Sequence, residues 1–360
     1  MKKSYLITLL ISLSCFLFFC GFPSISASQS KPQQPVTSGA NVFHWQLQTP
    51  WGPKMLLFRS AQDLCNTIKE MSNGQLDIKL LPVNAVAPPL QLFDACSKGV
   101  IESFFGFPGF WAGKIPEATF FGSVPFGFNS FSQYDIWYWN LGGINLARES
   151  YAKHNLYFVG YIHSHGAPSD LYMKKESPVR KFEDFKGKKM RFAPGISSEV
   201  MKEAGVSVVN LPPTEFYTSL EKGVVDGGDF FARETNFDMG IQEVTRWIVV
   251  MPSYKPAACL EFAVNMDAWK KLPPHLKAIV ESAVREYSGI FYQRFYLADL
   301  EALEKMLKSG MQIIQMPPSE EAKFRSRSMT IWKSWANKSP LASKAYESQL
   351  AFMKQLGIVK

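Results

Sequence analysis

The sequence has 360 residues, of which 46% are hydrophobic, and carries a formal net charge of +8 at pH 7. The surplus positive charge is modest and scattered, with only Lys186, Lys188 and Lys189 close together, so a nucleic-acid-binding surface is disfavoured. The length favours two domains over one and supplies a core that needs no disulfides.

Residues 1–28 have the features of a secretory signal peptide. A start with two lysines precedes an apolar run over 5–19, and small residues precede the expected cleavage near Ala27 or Gln29. The run is too short for a comfortable membrane span, and no later stretch reaches the ~20 apolar residues that a span needs.

Cys20 raises the alternative of a lipid-anchored protein. Phe18 and Phe19 in front of it are too bulky for a usual lipidation site, so ordinary cleavage is favoured. Residues 29–40 are polar and contain two prolines, which predicts a flexible tail. We therefore expect an exported chain that works in the periplasm.

Three cysteines remain after the leader: Cys65, Cys96 and Cys259. An odd number argues against a disulfide framework. Buried thiols are the favoured interpretation.

The ordered chain begins with a strand–helix–strand–helix pattern. Alternating apolar residues over 43–48 predict a strand, and apolar residues at helical spacing over 57–71 predict a helix. A second strand is predicted over 76–81 and a second helix around 92–96, which Gly99 ends because glycine accepts positive φ.

The same order appears again later. Strands are predicted at 189–193 and 206–211, and helices at 198–204 and 216–220, the last ended by Gly223. Each copy ends with the same five-residue pattern, at 98–102 and 222–226: Lys-Gly, two β-branched residues and an acidic residue. The β-branched pair predicts the start of a buried strand.

The repeat predicts an α/β fold with two similar lobes, each built on a largely parallel sheet. The lobes are expected at 41–162 and 163–254, with a returning strand near 255–267 that joins the first lobe. A single doubly wound domain is the alternative, which the length disfavours.

Residues 268–360 are expected to form a long connecting helix and C-terminal helices. Apolar spacing from Pro273 to about Ser309 predicts a helix of roughly 50 Å, long enough to brace both lobes. Ser319 and Ser339 are expected to begin two further helices, and Gly357 to end the last.

No motif of a nucleophilic, phosphate-binding or dinucleotide-binding enzyme occurs. His163 and His165 form the only closely spaced histidine pair, and two ligands are too few for a metal site. An enzyme is therefore disfavoured.

Arg191 is the first candidate for ligand binding. It lies in an apolar strand just before a turn, where open α/β sheets bind ligands, and its guanidinium matches a carboxylate. The alternative is an internal ion pair with Glu199, Glu203 or Asp226.

Further candidates lie among aromatic residues. Asp229, followed by Phe230, is expected to cap a turn, contact a ligand hydroxyl or bind a ligand-bridging cation. Trp51, Phe107 and Trp111 are candidate walls of a small-molecule cleft. Core packing is the alternative for any single aromatic residue.

The segments 188–192, 211–217 and 220–227, together with 111–116 and 269–273, resemble the solute-binding subunits of TRAP (tripartite ATP-independent periplasmic) transporters, DctP type. The resemblance implies a two-lobed Venus-flytrap fold with a long lobe-spanning helix. It also implies closure on a small organic acid and delivery to the membrane permease subunits. The one cofactor left open is a metal ion that bridges ligand and protein. Arg191 matches the carboxylate-binding arginine of that family.

Residues 45–49, followed by Gly52, are similar to family members that bind 2-oxo or 2-hydroxy acids, some through a metal ion bridging ligand and protein. Here Asp229 and Phe230 replace a common Glu-Trp pair, and residues 163–168 contain no Gln.

The stretch around Tyr254 also lacks an acid that is common there, and offers Lys255 instead. We therefore expect Lys255 to supply a fixed positive charge in place of the cation. Asp229 is the metal ligand if a metal binds. A sensor that signals to a membrane kinase is the alternative to transport, and a periplasmic enzyme ranks below it.

Overall fold

The computed structural model describes residues 41–163, 170–255 and 258–359. The predicted signal peptide, the predicted tail and His165 lie outside these residues. Across the described ranges, no helix combines the length and apolar character that crossing a bilayer requires.

The strands of the described residues, in chain order, are β1 (Phe43–Gln48), β2 (Leu76–Leu81), β3 (Ser103–Gly106), β4 (Leu156–His163), β5 (Leu171–Met173), β6 (Lys189–Arg191), β7 (Ser207–Val209), β8 (Gly227–Asp229), β9 (Trp247–Val250), β10 (Cys259–Asn265) and β11 (Gln312–Gln315).

The helices are α1 (Leu56–Met71), α2 (Leu92–Ser97), α3 (Ala118–Gly122), α4 (Phe131–Asn140), α5 (Gly143–Ala152), α6 (Ile196–Glu203), α7 (Phe216–Glu221), α8 (Arg233–Asp238), α9 (Ile241–Val244), α10 (Met266–Lys271), α11 (Pro274–Lys308), α12 (Pro318–Ala336) and α13 (Pro340–Gln355).

The strands form two sheets, ordered β2-β1-β3-β10-β4 and β11-β9-β5-β8-β6-β7. This confirms the predicted two-lobed α/β fold. The prediction of largely parallel sheets is confirmed, since the strands of each sheet run in one direction except for one inner strand that is antiparallel to both neighbours: β10 in the first sheet and β5 in the second. These two strands directly follow the crossings between lobes, so they enter their sheets from the opposite direction.

The repeated Lys-Gly turns end their helices as predicted. Gly99 and Gly223 have φ values of 72° and 70°, which glycine adopts without a Cβ penalty. The strands begin later than expected, at Ser103 and Gly227. Only the second residue of each β-branched pair is buried, because the first still belongs to the exposed turn.

The long helix α11 spans 35 residues, about 50 Å at the usual rise. It packs against β4 and α1 of the first lobe and against α8 of the second, so it contacts both, as predicted. The strand β11 that follows was not expected within 268–360. It pairs with β9 at the edge of the second sheet, and only Ile314 of its four residues is buried, which leaves little apolar pattern to detect.

The cysteines and the helix starts near Ser319 and Ser339 can be compared with the sequence expectations. Cys65, Cys96 and Cys259 are free and buried. The hydroxyl of Ser339 accepts a hydrogen bond from the backbone N–H of Ala342 and so caps α13. The α12 helix begins at Pro318, one residue before Ser319.

Candidate functional site

A cavity of about 50 Å³ lies between the two lobes. Six of the seven predicted site residues line it: Trp51, Phe107, Arg191, Asp229, Phe230 and Lys255. Five of them, all but Lys255, lie at or just beyond the carboxyl ends of parallel strands β1, β3, β6 and β8, where open α/β sheets bind ligands. The structure therefore brings together residues that are up to 204 positions apart in sequence.

Arg191 is held rigidly at the end of β6. Its Nε and Nη2 groups donate to the Leu211 carbonyl at 3.3 and 3.2 Å, and Nη1 donates to the Asp229 carbonyl at 2.6 Å. A guanidinium has five N–H donors, so two remain without a bond to the described residues, one on each terminal nitrogen. Two donors are what a bidentate carboxylate requires.

The carboxylates that the sequence offered as ion-pair partners of Arg191 do not contact it. They bind other groups or are exposed to solvent. Glu199 accepts from Lys202, Asp226 accepts from the backbone of Lys189, and Glu203 is exposed. The nearest carboxylate is that of Asp229, whose Oδ1 lies 4.0 Å from Nη1 of Arg191. Burial lowers the pKa of Arg191, and the charge of Asp229 opposes that shift.

Asp229 forms an ion pair with Lys255 deep in the site. The Lys255 ammonium donates to Oδ2 of Asp229, and the Tyr254 hydroxyl donates to the same oxygen at 3.3 Å. The side chains of Asp229 and Lys255 are 2% and 7% exposed, so solvent screens this pair little. Oδ1 of Asp229 has no hydrogen-bond partner among the described residues.

Aromatic rings wall the cavity. The Arg191 guanidinium lies 5.2 Å from the ring centre of Phe230, within range of a cation–π contact. Phe107 packs edge-to-face against Phe110, a further wall residue, at 5.4 Å. The indole N–H of Trp51 is buried and has no acceptor in the described part of the chain. The site therefore combines apolar walls with a few polar atoms whose bonding capacity is unused.

Trp111 was predicted as a wall residue, and the structure places it outside the cavity lining. The tight turn Pro108–Trp111 leaves Phe107 and Phe110 at the cavity and places Trp111 in the core of the first lobe. There it packs edge-to-face on Phe104 at 5.4 Å and donates its indole N–H to Glu261. Trp111 therefore packs in the core, which was the alternative prediction for any single aromatic residue.

His163, the described member of the histidine pair, is fully buried against Phe131 and Tyr292. Within 41–163, 170–255 and 258–359, no three His, Cys, Asp or Glu side chains cluster so that they could hold a metal ion.

Two polar residues of the site were not predicted. Ser123 lines the cavity, and the Tyr254 hydroxyl binds Asp229. Ser123 is one of the few polar side chains in an aromatic, glycine-rich stretch, and Tyr254 directly precedes Lys255. These sequence positions could have marked Ser123 and Tyr254 as candidates. Neither position indicates whether the side chain points into the cavity.

Glu261 on β10 is fully buried and accepts hydrogen bonds from Tyr151 and Trp111. Burial raises its pKa from 4.5 to about 8, and the two donors only partly oppose this. Between these values the folded protein holds a proton that the unfolded chain releases. The free energy of unfolding should therefore fall as pH rises, by up to about 1.4 kcal/mol per pH unit between about 5 and 8.

Denaturant unfolding of the wild type and of Glu261→Gln over this pH range measures that contribution. We expect the variant to lose the extra slope, because its amide does not titrate. The exposed Glu149→Gln variant is the control and should keep the wild-type slope. Equal slopes in all three proteins would show that Glu261 is ionised in the folded state.

Residues 47–339 match the sequence profile of the family described as bacterial extracellular solute-binding protein, family 7 (DctP). The chain belongs to the DctP family. It is 29% identical over 335 residues to the monocarboxylate 2-oxoacid-binding periplasmic protein all3028 of Nostoc sp., a match that covers 92% of this chain and 90% of the relative.

Solved structures of DctP-like proteins share this fold. A TRAP periplasmic solute-binding protein of Pseudoalteromonas atlantica, with bound sodium and pyruvate, has a TM-score of 0.79 at 25% identity and covers 88% of this chain and 95% of its own. One from Colwellia psychrerythraea, with bound calcium and pyruvate, has a TM-score of 0.80 at 25% identity and the same two coverages, 88% and 95%.

Proposed function

We propose that this DctP-family protein is the extracytoplasmic solute-binding subunit of a TRAP transporter, exported by the signal peptide at residues 1–28. It binds a small organic acid between its lobes and delivers it to the membrane permease subunits. The observation that carries the proposal is Arg191, a buried guanidinium that is held by three hydrogen bonds, lines the mostly apolar cavity and has two donors without a bond to the described residues.

The size and charge of the cavity favour a small monocarboxylate. About 50 Å³ is little compared with the roughly 300–1,000 Å³ of sites for drug-sized ligands. Arg191 and Lys255 contribute two positive charges and Asp229 one negative charge, so the site carries a formal net charge of +1. One carboxylate neutralises it. The 2-oxoacid-binding relative in Nostoc and the two pyruvate-bound structures support a 2-oxo acid.

A thermal-shift screen followed by calorimetry tests this function. The panel contains pyruvate, lactate, succinate and, as neutral controls, glucose and glycerol. A ligand present at 100 times its Kd adds about 2.7 kcal/mol of stability, which is readily detected. We expect pyruvate or lactate to raise the melting temperature most and the neutral compounds not to raise it. Binding of the neutral compounds but of no acid would contradict the proposal.

A further inference from the structure

The two pyruvate-bound relatives hold sodium or calcium with the acid, which raises the question of whether this site accepts a metal. Calcium takes six to eight oxygen ligands, mostly carboxylates and carbonyls. Asp229 is the one carboxylate among the described cavity residues, and its Oδ2 already accepts from Lys255 and Tyr254. The described residues therefore do not fit a bridging metal ion.

Electrostatics adds a second objection to a metal. A cation bound to Asp229 would lie close to two positively charged groups. The Lys255 ammonium is in contact with the Asp229 carboxylate, and Nη1 of the Arg191 guanidinium lies 4.0 Å from it. These side chains are almost fully buried, so solvent does little to screen the repulsion. Two fixed positive charges already surround Asp229, the only carboxylate among the cavity residues that the structure describes.

We propose that the Lys255 ammonium replaces the bridging cation, so that this protein binds its acid without any metal. An ammonium has three N–H donors, and one of them is used on Asp229. The others are available to the carboxylate or the 2-oxygen of the acid, while Asp229 holds the ammonium at the cavity wall. This inference rests on the proposed function and adds that the positive charge is built into the chain.

Lys255 is a covalent part of the site, so its charge does not depend on the concentration of any ion. A metal-bridged site loses affinity when the metal is removed, because the ligand then faces an unneutralised carboxylate. Here the partner of Asp229 cannot be removed by a chelator. The two kinds of site are thus distinguished by a measurement on the unaltered protein.

Calorimetric titration with pyruvate, using the full mature chain, tests the proposal under three conditions: excess EDTA, added Ca²⁺, and Na⁺ exchanged against K⁺. We expect the Kd to agree within about twofold in all three. We also expect Lys255→Met to weaken pyruvate binding at least tenfold in EDTA. Lys270→Met, an exposed lysine on α10, is the matched control and should bind as the wild type does.

The outcomes separate this inference from the proposed function. Pyruvate binding that is lost in EDTA and restored by Ca²⁺, or that is lost when K⁺ replaces Na⁺, would overturn the role of Lys255 and leave acid binding standing. Wild-type affinity in a folded Lys255→Met protein would overturn it as well. Absence of binding by pyruvate and every other acid under all conditions would overturn both. If Lys255→Met does not fold, the chelator series on the wild type decides alone.

Discussion

Replacing Arg191 by Ala is expected to abolish binding of the acid. The two unused donors of Arg191 would form charge-assisted hydrogen bonds with the carboxylate, which contribute ~1.5–3 kcal/mol each. Their loss alone corresponds to at least ~3 kcal/mol, or more than ~100-fold in Kd. Arg191→Lys should not restore binding, because an ammonium lacks the planar fork and cannot keep the contacts to Leu211 and Asp229 together.

The effect on folding must be separated from the effect on binding, because Arg191→Ala also leaves the carbonyls of Leu211 and Asp229 without their donor. Thermal unfolding without ligand measures that cost, and Arg180→Ala, an exposed arginine of the same lobe, is the control. A folded Arg191→Ala protein with unchanged affinity by calorimetry would show that the carboxylate binds elsewhere.

Gly228→Ala is expected to destabilise the protein by about 3 kcal/mol, the upper end for overpacking. Gly228 lies in β8, opposite Arg191 in the parallel pairing with β6. A Cβ at this position would lie 2.6 Å from the backbone oxygen of Arg191 and 3.0 Å from its backbone nitrogen. Backbone atoms cannot move aside as a flexible side chain can, so the strands must separate. That separation would also displace Asp229 and weaken binding.

Gly289→Ala is the matched control, because a Cβ there meets no atom within 4 Å and the residue lies inside α11. Alanine is favoured over glycine in a helix by up to about 1 kcal/mol, so this variant should be slightly more stable than the wild type. Chemical denaturation of both variants measures the difference. Similar stability of the two would mean that β8 and β6 are not packed as closely as described.

The fold was predictable where local chemistry and spacing carry the information. The Lys-Gly turns at Gly99 and Gly223 require positive φ, and the apolar spacing of α11 specifies its length and buried face. The direction of β10 and β5 was not predictable, because it depends on how the chain crosses between lobes. The short edge strand β11 leaves too few buried residues to produce a pattern.

The candidate site was predictable in part for similar reasons. Arg191 stands out as a charge within an apolar strand, and six of seven predicted residues line the cavity. Adjacent aromatic residues are harder to separate, since the turn at Pro108–Trp111 decides which ring faces the cavity. The pairing of Lys255 with Asp229, 26 positions apart, depends on the two strands and the crossover that hold them.

A crystal structure of the protein grown with pyruvate and excess EDTA would test acid binding in this cavity most directly. We expect the carboxylate of pyruvate within about 2.7–3.2 Å of the terminal nitrogens of Arg191, and the Lys255 ammonium in contact with both the acid and Asp229. Pyruvate bound away from Arg191, or an ion between pyruvate and Asp229 despite the chelator, would contradict the site described here.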